Sequence, residues 1–236
     1  YITLNYSFNF YLQILLGHSE LKGMKKFLSK FNFLTSLQIN KKSISNGNFE
    51  FNPFKYSVND TALIISGDVW MNTISFNRFS SKWGMDISNL RNNTQSLLTY
   101  GYESSKRNDW TIKWRWNVSN AISFNINGKK GFNALSTPQF NNRNYQLTIY
   151  DIQPQLVYIQ GTSFRLIAGY TFDNQKNLPV YGGEKSVSNS LDLETKYNIL
   201  QNSSITGKFT FNSIKYNYPA NTTVSYIMLN GLLPGN

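Results

Sequence analysis

The chain has 236 residues, a formal net charge of +11, 16% aromatic and 15% charged residues, and no cysteine. The length suits one large all-β domain or two small ones, and without cysteine there is neither a disulfide framework nor a thiolate metal site. Charge falls well below the ~25% of an ordinary soluble domain, and Lys and Arg are dispersed along the chain, so a nucleic-acid partner is not expected.

Period-two alternation, the mark of a strand with two unlike faces, begins at once. Ile2, Leu4, Tyr6, Phe8, Phe10, Leu12 and Ile14 alternate with Thr3, Asn5, Ser7, Asn9, Tyr11 and Gln13. The run is longer than the ~5–6 residues of a typical globular strand. Next comes "HSELKGMKKFLSKF", residues 18–31, with Leu21, Met24, Leu28 and Phe31 at helical spacing, Ser19 as N-cap, and Lys22, Lys25, Lys26 and Lys30 on the rest. It reads either as a short amphipathic helix at an anionic membrane surface or partner or as a basic turn between strands. So short a helix is marginal alone and Gly23 weakens it further, which favours the turn.

In the middle of the chain, "WTIKWRWNVSNAISFNIN" (110–127) sets Trp110, Ile112, Trp114, Trp116 and Val118 on one side and Thr111, Lys113, Arg115 and Asn117 on the other. Pro154 falls inside a later run in which the apolar phase slips by one residue between Ile149 and Tyr150, and a β-bulge there would explain both. Phe164, Leu166, Ala168, Tyr170 and Phe172 then share a face, as do Leu191, Leu193 and Tyr197 against Asp192, Glu194 and Lys196, and Ile205, Gly207, Phe209 and Phe211. About eleven strands are expected, roughly 1–14, 30–42, 62–79, 82–92, 97–119, 121–128, 143–160, 163–173, 186–200, 203–217 and 222–230.

Short turns near Ser80–Ser81, Asn120–Ala121, Gly161–Thr162 and Gln201–Asn202 recur about every forty residues. Between them lie longer polar segments, among them "NLRNNTQSLLTYGYESSKRND", "GKKGFNALSTPQFNNRN" and "DNQKNLPVYGGEKS". A propeller blade shares this period but holds about four short strands, not two long ones. Short turn, long loop, short turn is the rhythm of an up-and-down barrel of the outer-membrane type.

Two environments accept a face of three tryptophans: the core of a β-sandwich, and lipid. A sandwich must close-pack all three and satisfy each indole N–H. A lipid-facing strand needs only apolar bulk with aromatics near the headgroups. The runs reach the ~9–11 residues that span a bilayer at a steep tilt, and no apolar stretch is long enough for a spanning helix, so in lipid the sheet has to close to satisfy its backbone. Trp110, Ile112, Trp114, Trp116, Phe164, Leu166, Tyr170, Phe209 and Phe211 are therefore expected to face lipid, and Lys113, Arg115, Arg165, Lys196 and Lys208 a wet lumen. Two readings of those cations stay open. They favour anionic solutes or an acidic partner segment, or they pair with Asp192, Glu194 and neighbours to stiffen the wall.

The phrases "RNYQLTIYDIQPQLVYIQGTSFRL", "GGEKSVSNSLDLETKYNIL", "SSITGKFTFNSIKY" and "NTTVSYIMLNGLLPGN" resemble the C-terminal part of a family of large Gram-negative outer-membrane β-barrel proteins. The likeness covers most of the chain and rests on strand-and-turn phrases, not on a catalytic signature. In that family the chain runs on past the stretch like "GLLPGN" through further strands to a terminal aromatic residue. The resemblance thus implies that residues 1–236 form one barrel region of a longer polypeptide, incomplete at both ends.

A search for chemistry yields little. His18 is the lone histidine, so a Ser–His–acid arrangement has to use it, and no nucleophile-elbow glycines flank a serine. Glu103, Asp109, Asp173 and Glu184 fall in the expected long loops, where they read as solvated residues before they read as calcium or substrate ligands. No phosphate-loop, dinucleotide or calcium-loop spacing occurs. The sequence therefore leads to a non-enzymatic bacterial outer-membrane barrel without catalytic, cofactor or metal residues. Its role is transport or secretion, as a channel or as a subunit of a larger envelope complex. The expected partners are outer-membrane lipid, lipopolysaccharide and other envelope proteins. The alternatives are a soluble or surface-exposed all-β glycan-binding protein and, behind it, a barrel hydrolase that depends on His18.

Overall fold

The structure, a computed structural model, describes residues 2–11, 23–43, 63–99, 101–200 and 203–217. Ten strands form a single antiparallel sheet: β1 (Ile2–Tyr11), β2 (Phe31–Ser43), β3 (Leu63–Phe76), β4 (Trp83–Leu98), β5 (Gly101–Asn117), β6 (Ile122–Ser136), β7 (Tyr145–Gln160), β8 (Phe164–Asn177), β9 (Lys185–Leu200) and β10 (Ser203–Asn217). Their spatial order is their order in sequence, an up-and-down meander with β1 and β10 at its two ends. The strand expected at 222–230 lies outside the described residues. So do the turn at Gln201–Asn202, Ser19 and His18.

Where alternation is strict the strands form as expected, because alternation fixes which face each side chain takes, and the tight turns end them. Asn77 sits in the left-handed region (φ 56°) between β3 and β4, and its side-chain amide donates to the Trp83 carbonyl at 2.8 Å. Ser119 Oγ accepts from the amides of Ala121 and Ile122 between β5 and β6, a local bond that competes with the ladder and ends it. Gly161 takes φ 56° between β7 and β8.

Three expectations need correction. The polar stretch 89–109 is not a loop. β4 and β5 stay paired up to Leu98 opposite Gly101, so only two residues separate them. β6 and β8 likewise run on to Ser136 and Asn177. Alternation vanishes there because both faces are polar, while the backbone ladder needs no apolar side chain to continue. Second, β7 has no bulge. Its register with β6 is unbroken from Tyr145 to Tyr158, and that with β8 is the same on either side of Gln153–Pro154, which leave a gap in the ladder. A proline has no N–H to give to it. The phase slip has another cause: Leu147, opposite Asn133 and Asn177, is 1% exposed and lies on the polar face. Third, the basic segment holds a one-turn-and-a-half helix, α1 (Met24–Leu28), where a turn was favoured. Its stability comes from packing. The Phe27 ring meets Phe31 edge-on at 5.5 Å and Phe76 at 5.3 Å.

Candidate functional site

The candidate surface is the sheet itself, because its two faces are unlike. Directly paired residues share a face, so the ladders trace each face across the strands. One row runs Phe31, Phe76, Met85, Trp114, Ile126 and Pro154. Trp83, Trp116, Phe124, Leu156, Ala168 and Leu193 form another row of the same face. The other face carries Asp86, Lys113, Asn127 and Gln153 in one row and Lys129, Asp151, Asp173 and Ser188 in another.

Trp110, Ile112, Trp114, Trp116, Phe164, Leu166, Tyr170, Phe209 and Phe211 lie on the apolar face. Lys113, Arg115, Arg165, Lys196 and Lys208 lie on the polar face. The Trp114 ring stacks near Trp116 at 5.9 Å and meets Phe124 edge-on at 6.0 Å. Among the described residues no second layer covers these rings. Trp110 is 51% exposed, Ile112 49% and Phe211 59%. Among the described residues only Ile39, Phe76, Leu147 and Val157 are buried apolar side chains, whereas more than thirty large apolar ones stand exposed. Most of those in strands are on the apolar face, with Ile65, Leu98, Ile159 and Ile214 on the other.

The apolar band has a definite height. On β8 the face reads Phe164, Leu166, Ala168, Tyr170 and Phe172 from the tight-turn end, then Asn174 and Lys176. On β5 it reads Trp116, Trp114, Ile112 and Trp110, then Asn108 and Lys106. Where β2, β3 and β4 turn polar earlier, the side chains bond one another. Trp70 Nε1 donates to Thr35 Oγ1 at 3.1 Å, Thr35 donates to Asn72 Oδ1 at 2.7 Å, and Asn89 donates to Asn108 Oδ1 at 2.8 Å.

The polar face is the crowded one. Asn32, Ser75, Asp109 and Ser186 are each 3% exposed or less. Arg107 Nε lies 2.6 Å from Asp109 Oδ2, and Lys129 Nζ 3.5 Å from the same oxygen. Gln153 and Gln175 donate to Asp151 and Asp173, two carboxylates directly opposite each other. Of the expected lumenal cations, Arg115 donates to the Ser80 carbonyl at 2.8 Å and holds the β3–β4 turn. Lys113 stands opposite Asp86, Lys208 opposite Glu194, and Arg165 opposite Lys196. A hollow of about 240 Å³ lies between Gln153, Gln155, Thr171, Asp192, Glu194 and Lys208.

The acids expected in solvated loops are placed otherwise. Glu103 and Asp109 belong to β5 and Asp173 to β8, and Glu184, between strands, is 1% exposed. Asn177, fully buried, accepts from the amides of Gln146 and Leu178 and donates to the Tyr181 carbonyl and to Glu184 Oε1. Asn144 Oδ1 binds both the amide and the hydroxyl of Thr137. These buried polar anchors give no sequence signal in an Asn-rich chain, beyond the Asn-Leu-Pro and Thr-Pro turns beside them. Among the described residues no three His, Asp or Glu side chains gather as metal ligands, and no helix is long and apolar enough to cross a membrane. Comparison of the chain with family models, curated proteins and solved structures gives no match.

Proposed function

We propose that this chain is a β-barrel segment of the bacterial outer membrane, non-enzymatic, acting in transport or secretion as a channel or as a subunit of a larger envelope complex. The observation that carries the reading is the inverted polarity of a single sheet, whose exposed face is apolar and aromatic while its crowded face is charged and amidic. In water that arrangement exposes what water rejects, and exposed apolar patches of such extent mark a surface made for another medium. In lipid it is the stable one, with a polar interior behind an apolar wall. The nine residues from Phe164 to Phe172, at ~3.3 Å each and tilted ~40°, give a band about 20 Å tall, close to the ~25 Å of such walls. Strand ends beyond the band carry Asn and Lys outward, as wall above the headgroups must. Closure of the sheet follows from the same reading, since an open edge has no hydrogen-bonding partner in lipid.

Urea washing of native membranes followed by unheated gel electrophoresis tests this. The protein is expected to stay in the pellet and to migrate faster before heating than after. Release by urea, with no heat-dependent shift, overturns the proposal.

A further inference from the structure

Among the described residues, the end of the sheet that holds the β3–β4, β5–β6 and β7–β8 turns carries charge of one sign. Across the described residues 23–31, 76–83, 115–123, 158–165, 196–200 and 203–205 there is not one Asp or Glu. Lys25, Lys26 and Lys30 from α1 and its exit, with Arg78 and Lys82 from the β3–β4 turn, are exposed, and none is ion-paired with a described acidic residue. The connection before α1 adds Lys22 and one acid, Glu20, both outside the described residues.

The position of these charges matters as much as their sign. Phe27 anchors α1 on Phe31 and Phe76, and Phe76 in turn lies 5.2 Å from Trp83. All three partners belong to the apolar face. The helix thus hangs on the outer side of the sheet, at the lower edge of the apolar band. Met24 is 78% exposed and Phe27 52%, so the helix offers apolar side chains beside its lysines. An element with apolar groups and lysines together suits a headgroup boundary, where the rings enter the acyl region and the ammonium groups meet phosphate.

Resting on the membrane reading above, we propose that α1 and the β3–β4 turn form a docking collar for anionic phospholipid headgroups in the leaflet at the tight-turn end. The occupant follows from charge complementarity. Five exposed cations with no ion-pair partner among the described residues attract a net negative surface, and their continuity with the aromatic rim places that surface at the edge of the bilayer. A soluble acidic partner would need no apolar helix face in the same plane.

Tryptophan quenching by brominated lipid tests the collar on the full chain, because Trp83 and Trp116 lie at this end of the sheet. Vesicles contain brominated phosphatidylglycerol or brominated phosphatidylcholine in equimolar mixture with the unbrominated other. The anionic lipid is expected to associate ~3- to 10-fold more strongly than the zwitterionic one, and the preference to fall with salt. The Lys25→Gln, Lys26→Gln, Lys30→Gln triple variant loses most of that preference, and Lys106→Gln with Lys130→Gln, at the opposite end, keeps it. Quenching by both lipids with equal strength in the wild-type chain overturns the collar and leaves the membrane reading intact. No quenching by either lipid overturns the membrane reading itself.

Discussion

Arg107 donates from Nε to Asp109 Oδ2 at 2.6 Å, an ion pair between two residues on the same strand and the same face. The Asp109 side chain is 4% exposed while that of Arg107 is 49% exposed, so the carboxylate is the member that needs its partner. Asp109→Asn removes the buried charge that Arg107 and Lys129 share. The expected loss is about 1–2 kcal/mol, toward the lower end because the guanidinium still reaches water. Chemical unfolding of the chain in micelles measures it, and an unchanged midpoint argues against the pair as a structural element.

Gly131 lies directly opposite Asp109, and a Cβ built on it would stand 2.8 Å from Asp109 Oδ1. The carboxylate is held from its other oxygen by Arg107, so it has little room to retreat. Gly131→Ala is expected to cost about 1–2 kcal/mol by overpacking. In an Asp109→Ala background most of that cost should disappear, because the two changes share one contact. Additive effects in the double variant would place the strain elsewhere.

Trp114 and Lys113 are sequence neighbours on opposite faces. Trp114→Lys places a cation on the apolar band, and a barrel wall loses roughly 2–4 kcal/mol to a lysine at the bilayer midplane. Lys113→Trp puts a ring on the polar face and is expected to cost less. The folded fraction seen on unheated gels after refolding into vesicles compares the two. Equal and mild effects contradict the lipid-facing assignment.

Asn177 ties the 178–184 loop to β7 through four hydrogen bonds while fully buried. Asn177→Ala leaves buried donors and acceptors unmatched, at about 1–3 kcal/mol for each unsatisfied group. The effect is expected to be local, with faster amide exchange at Gln146 and Leu178 and readier proteolysis within 178–184. Protection at Trp114 should not change, and a global loss of exchange protection contradicts a local role.

The meander and both of its faces are legible in the sequence because period-two alternation encodes side-chain direction strand by strand. Trp110 to Trp116 and Phe164 to Phe172 announce their face without help. Alternation is silent where both faces are polar, so the pairing of residues 89–98 with 101–110 escaped it. It also misleads where an apolar residue is buried on the polar face: Leu147 sits there opposite Asn133 and Asn177, and its phase slip imitates a bulge. The burial of Asp109 and Glu184 had no local signal, since an acid in an Asn- and Ser-rich run looks solvated until its neighbours across the ladder are known. Helix α1 defied its weak intrinsic propensity because Phe27 has the Phe31 and Phe76 rings to rest on.

Every ladder in the sheet joins strands that follow each other in sequence, and this has a kinetic consequence. Native contacts of such a meander are local, which lowers the entropy of finding each partner and favours rapid pairing. Growth can advance hairpin by hairpin, each finished strand templating the next at a single moving edge. A factor that assists assembly then has only one leading strand to shield at any moment.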